Sequence, residues 1–119
     1  MEVQLFGTKK NQYTRRALRF WSERRVKVHF VDLSERAASK GELQRFIQKF
    51  GITALIDRDS KRYAELGLST SRLGDDRWAT LFEEEPLLLS QPLTRFSAKL
   101  TLGIDEPSWL EWVAAERAK

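Results

Sequence analysis

Residues 5–17, LFGTKKNQYTRRA, gather the side chains best placed for chemistry. An apolar strand ends at Phe6, a short loop spans residues 7–11, and a basic helix begins near Gln12. A strand, a tight loop and a helix N-terminus form an anion-accepting arrangement. Unpaired backbone N–H groups and the positive end of the helix dipole face whatever sits in the loop. Lys9 and Lys10 add point charges, and Asn11 or Thr14 offers hydrogen-bond donors. Thr8, Lys9, Lys10 and Asn11 are therefore the candidate anion- or ligand-binding residues. The same field would stabilise a thiolate, but the chain contains no cysteine.

That absence excludes disulfides, thiolate metal sites and self-contained thiol chemistry. The single histidine, His29, argues against a histidine metal site or a Ser-His-Asp triad, and no metal or cofactor is expected. Asp57 and Asp59 sit at the start of a helix, where capping accounts for them. Asp75, Asp76 and residues 83–85 lack cation-ligand spacing. Net charge is +4, with Lys9, Lys10, Arg15, Arg16, Arg19, Arg24, Arg25 and Lys27 among the first thirty residues against Glu2 and Glu23. Such polarity attracts nucleic acid, phosphate-bearing ligands or an acidic protein surface; a solvated helix face is the plainer account. No nucleic-acid recognition motif accompanies the arginines, and the four tryptophans fall at helical core or edge positions rather than on a stacking platform. No apolar run reaches membrane-spanning length. The opening MEVQLFG reads as a strand rather than a signal peptide, so a cytoplasmic protein is expected. Nothing in the sequence sets an oligomeric state.

The elements that position these residues follow from periodicity. Residues 2–6 alternate as a buried strand does. From Gln12 to about Arg24, Tyr13, Ala17, Leu18, Phe20 and Trp21 mark an inward helix face, with arginines outside. Residues 26–31, VKVHFV, form a second strand, which makes a βαβ crossover. A helix starting at Ser39 or Lys40 carries Leu43, Phe46, Ile47 and Phe50, and Gly51 stops it. Residues 52–56 lead into Asp57, and a short helix at 60–66 ends at Gly67. Another helix is expected over 71–84, with Leu73, Trp78, Leu81 and Phe82 inward. Pro86 closes it, and residues 87–89 read as a fully buried strand pairing with 99–102. A last helix from Glu106 or Pro107 buries Trp109, Leu110, Trp112 and Val113. This order predicts a single α/β domain over 1–119. It is a thioredoxin-like sandwich, with a mixed four-stranded sheet built from βαβ plus a β-hairpin and a helical insertion at about 38–85.

The sequence resembles the arsenate reductase-like family of the thioredoxin superfamily, which includes the Spx-type RNA polymerase-binding regulators. LFGTKKNQYTRRALRFW resembles its opening strand, loop and helix, and VKVHFVDL its second strand. LIDRDSKRYAELGL, PLLLSQPL and KLTLGIDEPSW resemble its middle segment, its proline-containing strand and its closing strand and helix. The resemblance places Asn11 at the nucleophilic cysteine and Thr14 at the second cysteine of Spx-type members. It puts Asp59 and Gln91 at two arginines, Arg58 and Arg62 being near enough to substitute for the first. Pro92 is retained and is implied to be cis.

A carboxamide is neither nucleophilic nor redox active, so the family's covalent route cannot begin at Asn11. The expectation is a redox-inactive interaction or regulatory module. Arg15, Arg16 and Arg19 would dock an acidic protein surface, with transcription machinery as the partner by Spx analogy. The alternative is an oxyanion- or glutathione-binding reductase-like enzyme that takes its thiol from outside, with Asn11 positioning it.

Overall fold

Alternation in EVQLFG does what its chemistry demands: in strand β1 (Glu2–Gly7), Val3 and Leu5 are fully buried and Glu2 is exposed. The computed structural model describes residues 1–119. Helix α1 (Gln12–Glu23) leads to β2 (Lys27–Asp32), and β3 (Leu93–Phe96) turns into β4 (Lys99–Leu102). The sheet order is β2-β1-β3-β4. β1 runs antiparallel to β3, with Gln4 opposite Arg95 and Phe6 opposite Leu93, and β3 runs antiparallel to β4. The crossover through α1 makes β2 and β1 the parallel pair of this mixed, thioredoxin-like sheet.

The chain forms two compact units, Met1–Val31 with Gln91–Lys119, and Asp32–Ser90. In the first, α1 and α6 (Glu106–Arg117) supply the residues that pack against Val3 and Leu5. Trp21 and Trp109 are fully buried with ring centroids 5.4 Å apart, and Phe20 lies 5.1 Å from Trp109. The Trp109 indole donates to Thr101 Oγ1 at 2.8 Å, whereas the buried Trp21 indole finds no acceptor. Two side chains expected inside are outside: Tyr13 is 50% and Leu110 48% exposed. The inward lines are Thr14, Ala17, Trp21 and Trp109, Trp112, Val113. Tyr13 and Leu110 each sit one residue from a line, roughly 100° around the helix.

The second unit is helical. α2 (Lys40–Phe50) opens on a capping box, with Ser39 Oγ accepting from Glu42 N and Glu42 Oε1 accepting from Ser39 N. Gly51 ends it at φ +81°, a conformation other residues resist. A one-turn helix α3 (Ile52–Leu55) follows, where only a lead-in was expected. Ser60 caps α4 (Lys61–Glu65) by accepting from Tyr63 N. The capping expected of Asp57 and Asp59 reduces to Asp57 Oδ1 accepting from Asp59 N just before it.

Helix α5 (Asp75–Glu84) starts later than the periodicity predicts. The Ser71 hydroxyl donates to Leu68 O and closes a 3-10 turn at Leu68–Thr70, and Gly74 takes the N-cap position. Residues 87–89 are not a strand: Pro86–Leu88 is a 3-10 turn with Leu87 41% exposed, and Leu89 makes one isolated bridge to Ile56. The leucine run has no period of two, and Pro86 presets a helical φ at the start of a turn. The hairpin partner of β4 is therefore Leu93–Phe96, beyond Pro92. No helix is long and apolar enough to cross a membrane.

Within this unit Arg62 grips Glu85 with both arms, Nε to Oε2 and Nη2 to Oε1, each 2.7 Å. The hydrogen bonds from Arg62 hold the Glu85 carboxyl below its ordinary range, against a smaller opposing effect of burial. A depressed folded-state pKa stabilises above the unfolded carboxylate value of about 4.3, and that contribution disappears as pH falls through the folded value. The melting-temperature gap between wild type and Glu85→Gln should accordingly be widest near neutrality and close in acid. A gap independent of pH between neutrality and pH ~2 would contradict this.

Candidate functional site

The loop after β1 is a β-turn, with Asn11 N–H donating to Thr8 O at 3.1 Å and Lys9 and Lys10 at its exposed centre. Asn11 is the N-cap of α1: its backbone is extended (φ −79°, ψ 126°) and its Oδ1 accepts from Tyr13 N at 2.9 Å and Thr14 N at 3.0 Å. Asparagine is among the best residues for this task. The Tyr13 and Thr14 N–H groups in the first turn are thus satisfied from within. The first turn of α1 contains no acidic side chain, so its positive end stays uncompensated by charge.

Across the loop, the Gln91–Pro92 peptide bond is cis, as the resemblance implies, and Pro92 O accepts from Gly103 N at 2.8 Å. Gln91 Oε1 accepts from Thr8 N at 2.7 Å, Thr8 Oγ1 at 3.1 Å and Thr14 Oγ1 at 3.2 Å. Thr14 is wholly buried and Thr8 nearly so. A Cβ on Gly7 would overlap Thr14 Oγ1 and lie 2.9 Å from Thr14 Cγ2, so glycine is what lets the helix approach the strand end.

The basic residues divide by task. Arg15 Nη1 donates to the carbonyls of Lys9 and Lys10 at 3.1 and 2.9 Å, fastening the turn to the helix. Arg16 pairs with Glu106 at 2.9 Å, an exposed contact of small energetic weight. Arg19 is exposed, and its side chain makes no hydrogen bond or ion pair.

The structure brings Asn11, Thr14, Gln91 and Pro92 together around the Thr8–Asn11 turn. Asp59 lies in the Asp32–Ser90 unit, before α4. There Arg58 Nη1 donates to Tyr63 Oη at 3.0 Å, and Arg62 is committed to Glu85. His29 is exposed on β2 and lines, with Glu2, Gln4, Arg95 and Ser97, an open cavity of about 350 Å³ that includes no residue of the loop.

Chemically, the loop contains no nucleophile poised against a base. The Asn11 oxygen is spent on the helix, and both threonine hydroxyls donate to an amide that cannot take their protons. Sequence reasoning missed two roles. Asn11 as N-cap had a signal, an asparagine directly before a helical run. Gln91 as the acceptor of the loop had none, since its partners lie 77 and 83 residues away.

The ArsC family model matches residues 6–112 of this chain. The YusI protein of Bacillus subtilis (strain 168) is 25% identical over 101 residues, covering 82% of this chain and 86% of YusI. The structure of an arsenate reductase from Vibrio cholerae superposes with a TM-score of 0.78 at 24% identity, over 93% of this chain and 97% of that one. An ArsC family related protein from Bacteroides fragilis gives a TM-score of 0.82 at 15% identity over the same shares. At these identities the structural likeness is one of fold.

Proposed function

This chain belongs to the ArsC family, and from that premise we propose that it is a redox-inactive member that works by binding a protein with an acidic surface. The observation that carries this reading is at Asn11, which the resemblance sets at the family's cysteine: its side chain caps α1 and its oxygen is already engaged. No residue of the chain is a thiol. The docking face is the outer side of α1 with the turn before it. Lys9, Lys10 and Arg19 display unpaired charge, and Arg15 is bonded only to neutral carbonyls, so its charge persists. Basic side chains at a helix N-terminus attract an acidic partner mainly by steering, which makes the association salt-dependent.

Two measurements test this. With arsenate, glutathione and glutaredoxin the protein should show no turnover; turnover abolished by Asn11→Ala would instead establish the external-thiol alternative. Capture of partners from the native cells should yield proteins lost both at high salt and with the Arg15→Glu/Arg19→Glu double variant. Unchanged partners would remove the docking face from consideration.

A further inference from the structure

Three donors from the loop and the first turn of α1 converge on one oxygen, Gln91 Oε1. The Thr8 backbone N–H can only donate, so it fixes which end of the Gln91 amide faces the turn. The Thr8 and Thr14 hydroxyls, free to rotate, then donate to the same atom. Such a set is what an anionic oxygen demands, and a neutral carboxamide uses it at partial charge. The donors are built in: Thr14 is wholly buried and abuts Gly7, and Thr8 is 8% exposed. Left without an acceptor, buried hydroxyls and a buried N–H would carry a desolvation cost.

We propose that Gln91 is an internal stand-in for an anion, and that its Oε1 closes the loop to tetrahedral oxyanions while the wild-type side chain is present. The loop is a latent oxyanion site, and Gln91 is the residue that decides its specificity. This goes beyond the docking role and holds whether or not the arginine face binds a protein. It also means that a thiol restored at position 11 alone would face donors that are already taken.

The experiment titrates inorganic phosphate into the isotope-labelled full chain and follows the amide signals of Thr8 and Thr14. Wild type should respond only weakly and without saturation. Gln91→Ala should show saturable shifts at both amides, with an affinity about tenfold or more above wild type, the worth of roughly one charge-assisted hydrogen bond. Equal responses in the two proteins, or none in either, would overturn the proposal.

Should Gln91→Ala fail to fold, Gln91→Glu supplies the second arm, because it delivers a carboxylate to the same donors. Its folded-state pKa should be depressed, so the melting temperature of Gln91→Glu relative to wild type should be higher at pH 7 than at pH 3. A difference that is flat or reversed with pH would show that the loop does not accept negative charge.

Discussion

Replacing Trp109 with alanine should lower the unfolding free energy by about 3–5 kcal/mol, measured by denaturant titration. Its indole is fully buried among Phe20 and Trp21 and donates to Thr101, itself 3% exposed. The sharper comparison is between phenylalanine variants at the two central tryptophans. Trp109→Phe removes a satisfied donor and strands the Thr101 hydroxyl. Trp21→Phe removes a donor that has no acceptor in the fold. The volume lost is the same, so packing alone predicts equal costs. Hydrogen-bond accounting predicts that Trp109→Phe is the more damaging by about 1–3 kcal/mol. Equal costs would mean that the Thr101 bond contributes nothing net.

Gly7→Ala should destabilise the protein by about 1–3 kcal/mol, because the added methyl group meets the Thr14 side chain inside a filled space. Thr14 cannot easily yield: it is β-branched, helical and fully buried. Thr14→Ala removes both overlapping atoms and leaves its Cβ 3.2 Å from the new methyl, a tight but tolerable approach. The double variant should therefore cost less than the sum of the singles by about 1 kcal/mol. Strict additivity would show that the steric conflict is relieved elsewhere, for instance by a shift of the strand end.

The parts of the fold legible in the sequence are those whose signals are local. The alternation of residues 2–6, the arginine-flanked stripe of α1, Ser39 before its helix and Gly51 after it all lie within a few residues of what they determine. Residues 87–89 went astray because apolarity without a period does not distinguish a strand from a buried turn, and Pro86 favours the turn. The start of α5 was misplaced because the Ser71 hydroxyl could cap a helix or close the preceding turn, and only tertiary context chooses. At the candidate site, the loop, the helix end and Pro92 were visible. The Gln91 contact was not, because its partners lie 77 and 83 residues away in the chain.

That first unit is assembled from two separated pieces, Met1–Val31 and Gln91–Lys119, whereas Asp32–Ser90 is one continuous segment. During vectorial synthesis the two therefore become complete at different times. Every contact internal to Asp32–Ser90 is available once residue 90 has been made. β1 must wait for β3, and Trp21 for Trp109 and Trp112, until the final helix exists. High contact order of this kind slows folding and leaves apolar surface waiting for its cover. The nascent chain consequently carries Val3, Leu5, Phe20 and Trp21 uncovered by α6 until Glu106–Arg117 has been made. The segment that holds Asn11 and the loop is made before its partners in Gln91–Lys119 and is fixed in place only with them.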